Sequence, residues 1–347
     1  MKAVVKKELG QVELVTNRPV PQLREGYLLI RTKAVAINPI DWMKADGFPA
    51  PNTLLGHDYA GIVEEVGPGV TRAFTKGDRV FGYTLAGDYR NPENGAFAEY
   101  IVAKADLQYK IPGGVPFEKA AALGAAVMTA NMALFLKLDL IGEPDRAEPN
   151  SKGEFVLVYG GSTSSGAMAI QLAARSGYTV ISTCSRHNFE SVKALGASHV
   201  FDYKEANCAQ AIHQLTANQL RLVLDTVAVP QSAKLCAEAM STEGGRYVQL
   251  LPVPFPRADV EVIFMDATTT LGEHYEYGME RIPVPVDADA FAFGKAHVQT
   301  VELLLQQGDI GGHETEIGDG GLEGVLDGIK RMREGRVSGR KLVYLVE

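Results

Sequence analysis

The residues best suited to chemistry in this sequence lie together in Tyr159-Gly-Gly-Ser-Thr-Ser-Ser-Gly166. An apolar run, Phe155-Val-Leu-Val158, precedes this loop, and Ala167-Met-Ala-Ile-Gln-Leu-Ala-Ala174 follows it. A strand, a glycine turn and a helix in that order present free backbone N–H groups and the positive end of a helix dipole, a setting suited to phosphate. The usual dinucleotide loop is GxGxxG. Aligned on its last glycine, this one reads Gly161-Ser162-Thr163-Ser164-Ser165-Gly166 and lacks the middle glycine. Gly161 can supply the tight turn and Gly166 the close packing of helix on strand. The hydroxyls of Ser162, Thr163, Ser164 and Ser165 can donate hydrogen bonds to phosphate oxygens. The same residue types also cap helices without any ligand.

The next strand separates the two nicotinamide dinucleotides. An NAD site presents Asp or Glu about 20 residues beyond the loop, on the ribose hydroxyls. Here Tyr178-Thr-Val-Ile-Ser-Thr183 ends in Cys184-Ser185-Arg186-His187-Asn188, without a carboxylate. Arg186 attracts a 2′-phosphate and Ser185 can hydrogen-bond it. The alternative is a solvated surface arginine. Missing acid and present arginine together favour NADPH.

Alternating elements must position these residues. From 155 to about 251, strand candidates at 155–159, 178–183, 199–202, 221–225 and 246–251 alternate with helix candidates at 166–176, 188–195, 207–217 and 231–241. Such alternation implies a parallel sheet covered on both faces. Asp225-Thr226 would end one of its strands, where ligands approach an open sheet. Residues 1 to about 125 hold short β-like runs cut by Gly67-Pro-Gly69 and Lys76-Gly-Asp78, and read as a folded-over β domain. An Ala-, Leu- and Met-rich helical pattern follows from Phe117 to about Leu138, and residues 141–153 read as an exposed loop. Beyond Pro252 an irregular Pro-rich stretch leads to helix candidates 294–307 and 321–334 and a final strand at 341–346.

The chain of 347 residues suits two domains, and its net charge of −8 argues against non-specific nucleic-acid binding. Cys184, Cys208 and Cys236 show neither CxxC nor Cys/His spacing, which fits a reducing compartment. No signal region and no apolar run near the ~20 residues of a membrane span is expected, so the expected location is cytoplasmic.

The chain resembles the medium-chain dehydrogenase/reductases over nearly its whole length. The motifs that carry this are Ala36-Ile-Asn38-Pro39-Ile-Asp41, Leu55-Gly-His57-Asp58-Tyr59-Ala-Gly61-Ile-Val, Gly77-Asp78-Arg79-Val80, Gly95-Ala-Phe97-Ala-Glu99-Tyr100 and Ala121-Ala-Leu123. The resemblance implies an α/β chain with a GroES-like β-barrel catalytic domain built from both chain ends and an inserted Rossmann domain with a doubly wound parallel sheet. The expected limits are 1–125 and 276–347 for the catalytic domain and 126–275 for the NADPH-binding domain. Zinc members of the family place ligands where this chain has Asn38 and Ala125, leaving His57 alone, and residues 83–95 hold no cysteine for a structural zinc. The chain is therefore expected to be zinc-free, with His57 a structural or pocket histidine.

A narrower likeness is to fungal trans-acting enoyl reductases that partner polyketide synthases. It rests on Val158-Tyr-Gly-Gly-Ser-Thr163, Thr183-Cys-Ser-Arg-His-Asn-Phe189, Val200-Phe-Asp-Tyr203 and Ser338-Gly-Arg-Lys341-Leu-Val. A member of that group has lysine where this chain has Met43, with Lys44 next to it. The resemblance implies hydride delivery to the β-carbon of an activated C=C bond, with quinone or 2-alkenal reduction, or an inert structural relative, as alternatives. It places Thr129 beside the nicotinamide or the substrate carbonyl, and Asn38, Asp41 and Tyr59 along the cleft. It also places Tyr203 by the adenosine phosphate and Lys341 near the nicotinamide end, with Leu250 in the cofactor set. By residue type alone, Thr129 can instead bond to a carbonyl one turn back, Asn38 can serve as a turn residue, and Tyr203 can be strand-end packing. Tyr59 and Lys44 are the candidate proton donors.

Overall fold

The computed structural model describes residues 1–48, 50–142, 144 and 153–347. The expected loop at 141–153 thus falls largely outside the described residues. The chain packs as two units, Met1–Met128 with Thr268–Glu347, and Thr129–Ala267.

The first unit opens with the antiparallel pair β1 (Ala3–Lys6) and β2 (Val12–Val15). It continues through β3 (Tyr27–Ala36), α1 (Pro39–Gly47), β4 (Asp58–Val66), β5 (Arg79–Tyr83), β6 (Tyr100–Lys104) and β7 (Tyr109–Lys110). Next come α2 (Phe117–Ala120) and α3 (Gly124–Asn131), the helix in which the division between the units falls. The second unit holds β8 (Phe155–Tyr159), α4 (Ser164–Arg175), β9 (Thr179–Cys184), α5 (Phe189–Ala194), β10 (His199–Asp202) and α6 (Cys208–Leu215). It ends with β11 (Leu222–Asp225), α7 (Pro230–Ala239), β12 (Gly245–Gln249) and β13 (Val260–Phe264). The chain then returns to the first unit with the hairpin β14 (Tyr275–Tyr277) and β15 (Ile282–Val284), α8 (Ala288–Gln307), β16 (Thr315–Gly318), α9 (Gly321–Arg333) and β17 (Lys341–Leu345).

In the first unit a sheet runs β16-β17-β3-β4-β5-β7, with β6 on β3. The last strand of the chain thus pairs with the third, Val343 opposite Ala36, which joins the two chain ends in one sheet. Register shifts in β3 at Leu29/Ile30 and Thr32/Ala34 bend the strand, as bulges do. Its core gathers Leu28, Ile30, Tyr59, Phe97 and Ile101 with Leu322, Val325 and Ile329 of α9.

In the second unit the order is β10-β9-β8-β11-β12-β13, all parallel, as the strand–helix alternation predicts. The winding reverses between β8 and β11, and ligands of such sheets bind beyond the strand ends at that point. Its core joins Leu157, Ile181, Ile212, Val223 and Tyr247.

β13, the β14–β15 hairpin and β16 stand where the sequence pattern marks no strand. Val262 and Phe264 of β13 are 40% and 43% exposed on the sheet's edge, so this strand lacks the buried apolar signature of its neighbours. One expectation about apolar runs also needs correction. Phe117–Lys137 is a helical run of 21 residues that is long and apolar enough to cross a membrane, but 83% of its most apolar window is buried within the protein, as in a core helix. Met132–Lys137 completes that run as a π-helical turn.

Candidate functional site

In the second unit the loop after β8 leads into α4, and Thr163 is the residue that caps the helix. Its Oγ1 accepts from Gly166 N at 2.9 Å and lies 2.9 Å from Thr226 Oγ1, which itself donates to Tyr159 O at 2.8 Å. The Thr163 side chain is therefore spent on the protein. Ser162, Ser164 and Ser165 remain half-buried along the loop. The turn is made by Gly160, at φ +85°, a residue outside the predicted set. A Cβ on Gly166 would lie 2.3 Å from the Gly160 carbonyl oxygen, so Gly166 lets the helix close onto the loop. Gly161 is packed against Ser182 Oγ and Ile170, where a Cβ would fall at 2.1 and 2.9 Å. Two glycines for packing and one for the turn thus keep the loop tight without the missing middle glycine.

Asp225, at the end of β11, is fully buried and accepts from Val227 N, Ala228 N, Ser232 Oγ and Tyr247 Oη at 2.5–2.9 Å. It organises the loop after β11 and has no capacity left for a ligand. Leu250 is half-buried just beyond β12.

At the neighbouring strand ends, Cys184 of β9 pairs with Asp202 of β10, so the two following loops emerge side by side. Ser185 Oγ lies 3.3 Å from Tyr203 Oη, and the Tyr203 ring is 6.1 Å from that of Tyr159. Arg186 is exposed and donates to Glu205 Oε1 at 2.5 Å. The geometry brings Ser185 beside Tyr203 and gives the neighbouring Arg186 a carboxylate partner, Glu205, that is absent from the expected set. Glu205 escaped because it follows β10 rather than β9, where an acid is looked for.

The first unit holds a buried polar cluster. Pro39 opens α1, and Asn38 before it donates its N–H to Asp41 Oδ2 at 2.7 Å. The Asn38 amide donates from Nδ2 to Asp58 Oδ2 at 2.8 Å and accepts at Oδ1 from Lys341 Nζ. Lys341 Nζ also meets Asp58 Oδ2 at 2.8 Å, and Ala125 N donates to Asp58 Oδ1 at 2.6 Å. Lys341, expected near a cofactor, is 3% exposed and committed to these partners. Asp41 Oδ1 lies 2.5 Å from His57 Nδ1, and His57 stacks on Tyr83 at 5.3 Å between ring centroids. His57 Nε2 is buried and finds no hydrogen-bond partner among the described residues. Burial lowers the His57 pKa from its ordinary value and outweighs the Asp41 carboxylate, which raises it.

Two expected cleft residues belong to the core. Tyr59 is fully buried, donates to Gln108 Oε1 at 2.6 Å, and has its pKa pushed well above the ordinary value by burial. Asp41 is fully buried between Asn38 and His57. Both sit where β-sheet packing and the start of α1 consume their polar atoms. Lys44 likewise donates to the Ala86 carbonyl at 2.7 Å and is 6% exposed. Neither Tyr59 nor Lys44 stands ready to give a proton. Thr129, 8% exposed in α3, begins the second unit, and no bond from its hydroxyl to a carbonyl one turn back is found among the described residues.

A doubly wound parallel sheet with a glycine turn at its switch point is the arrangement of dinucleotide-binding folds. Known proteins agree. The alcohol dehydrogenase GroES-like domain family matches residues 24–113 and the zinc-binding dehydrogenase family residues 166–253. The trans-enoyl reductase resD of Aspergillus sclerotiorum is 41% identical over the whole of both chains. The trans-enoyl reductase TOXD of Cochliobolus carbonum is 44% identical over 79% of this chain and 91% of its own. An alcohol dehydrogenase superfamily structure from Novosphingobium aromaticivorans covers 100% of both chains at TM-score 0.80 and 24% identity. The chain belongs to the medium-chain dehydrogenase/reductase family, in the branch that holds the fungal trans-enoyl reductases. Members of this family are oxidoreductases that work with nicotinamide cofactors. Among the described residues, no group of three or more His, Cys, Asp or Glu side chains is arranged to hold a metal ion.

Proposed function

We propose that this chain is an NADPH-dependent, zinc-independent reductase of activated C=C bonds, acting on enoyl thioesters of polyketide type and working in trans with a polyketide synthase in the cytoplasm. Its full-length identity to trans-enoyl reductases supports the reaction class. The observation that carries the cofactor choice is Arg186, exposed beside Ser185 and Tyr203 at the ends of β9 and β10, with no acid ending β9.

The loop fits a dinucleotide: Gly160 and Gly166 shape a turn that a Cβ would obstruct, and Ser162, Ser164 and Ser165 border the start of α4. When bound, the cofactor supplies the hydride for the β-carbon of the substrate. The N-terminal N–H groups of α4 would hold the pyrophosphate, and Arg186 with Ser185 the 2′-phosphate. Tyr203 would flank the adenosine phosphate, with Leu250 as an apolar neighbour. Thr129 and Asn38 are the remaining candidates to orient the reacting groups, and Lys341 would hold Asn38 through its amide oxygen. The donor set supports zinc independence: Asn38 is bonded to Asp58 and Lys341, and His57 by itself cannot supply the three ligands of a catalytic zinc site.

Steady-state kinetics of Arg186→Ala test the assignment. The KM for NADPH should rise at least tenfold with the KM for NADH nearly unchanged. Equal changes for both would refute it.

A further inference from the structure

We infer that Glu205 is a specificity-determining residue that tempers the preference of Arg186 for a 2′-phosphorylated dinucleotide, an inference that rests on the 2′-phosphate reading of Arg186. Glu205 is held in place: its N–H donates to Asp202 O at 3.0 Å, its carbonyl accepts from Cys208 N at 3.0 Å, and Lys204 N donates to Asp202 Oδ1 at 3.0 Å. The turn between β10 and α6 therefore fixes the Glu205 backbone beside the end of β9, and its carboxylate lies 2.5 Å from Arg186 Nη2.

Both side chains are exposed, 76% for Arg186 and 47% for Glu205, so their pairing is weak and a phosphate can displace it. The carboxylate nevertheless stays close after displacement. A phosphomonoester carries a charge of roughly −1.5 to −2 near neutral pH. Sharing one guanidinium with Glu205, it would lie roughly 5–6 Å from the carboxylate, where water-screened repulsion weakens binding by about three- to tenfold. A ribose with a free 2′-hydroxyl meets no such repulsion and can donate a hydrogen bond to a carboxylate. Glu205 thus narrows the gap between the two cofactors that Arg186 alone would set.

Fluorescence titration of Glu205→Gln with NADPH and NADH, and competition with 2′,5′-ADP against 5′-ADP, test this. The Kd for NADPH and for 2′,5′-ADP should each fall about three- to tenfold, while NADH and 5′-ADP hold or weaken. An unchanged or raised Kd for NADPH overturns the inference while leaving the Arg186 reading intact, provided Arg186→Ala selectively loses NADPH. If Arg186→Ala weakens both cofactors equally, the reading of Arg186 fails and this inference falls with it.

Discussion

Removing the Lys341 ammonium should destabilise the first unit strongly, and removing its partner as well should restore much of the loss. Lys341 Nζ and Asp58 Oδ2 lie 2.8 Å apart, with side chains 3% and 0% exposed. At that distance and an effective dielectric of 20 the attraction is about 6 kcal/mol before desolvation is subtracted. Breaking a buried pair from one side costs about 3–5 kcal/mol, because the remaining charge is left uncompensated. Asp58 keeps two neutral donors, Asn38 Nδ2 at 2.8 Å and Ala125 N at 2.6 Å, which places Lys341→Met near the lower end, about 3 kcal/mol. For a unit of this size that is a melting-temperature loss of about 6–12 °C. Thermal unfolding followed by circular dichroism, on Lys341→Met, Asp58→Asn and the double variant, provides the assay. The double variant should be more stable than either single one. A Lys341→Met protein that melts within 2 °C of the parent would refute the reasoning.

Two further outcomes follow from the geometry. Burial lowers the His57 pKa in the fold, whereas an unfolded histidine takes up a proton as pH falls through about 6.5, so stability should fall with pH below that point, by at most about 1.4 kcal/mol per unit. His57→Gln should flatten this part of the pH profile, measured as urea midpoints at pH 5.5 and 7.5; a slope equal to the parent's would show that His57 does not contribute. Gly166→Ala would set a Cβ 2.3 Å from Gly160 O and 2.9 Å from Thr163 Oγ1, so the loop must open. Cofactor affinity should drop by more than tenfold with the far-UV spectrum retained, and unaltered titration curves would show that the loop does not hold the dinucleotide.

Much of the fold could be read from the sequence because buried parallel strands have near-continuous apolar runs. Val156-Leu-Val158, Val180-Ile181 and Val223-Leu224 mark three of them. β13 was hidden because an edge strand needs no buried face, and α8 begins at Ala288 rather than near Gly294 because Asp287 caps it, accepting from Ala290 N at 2.8 Å. The polar residues were harder to read, since residue type does not reveal what a side chain is already bonded to. Thr163 looked available for phosphate and is a helix cap; Tyr59 and Lys341 looked available for ligands and are bonded in the interior. The Lys341–Asp58–Asn38 cluster joins residues more than 280 positions apart, and only the pairing of β17 with β3 brings them together. Glu205 shows the converse: its partner Arg186 lies 19 residues back, across two neighbouring strand ends.

The most direct measurement is the turnover of an α,β-unsaturated acyl thioester by the purified protein after treatment with a metal chelator, followed as NADPH absorbance loss and by mass spectrometry of the product. NADPH oxidation should match saturated thioester formed one for one, outpace NADH, and survive the chelator. Loss of activity on chelation, equal rates with NADH, or rapid reduction of a free quinone with no thioester reduced would contradict the account.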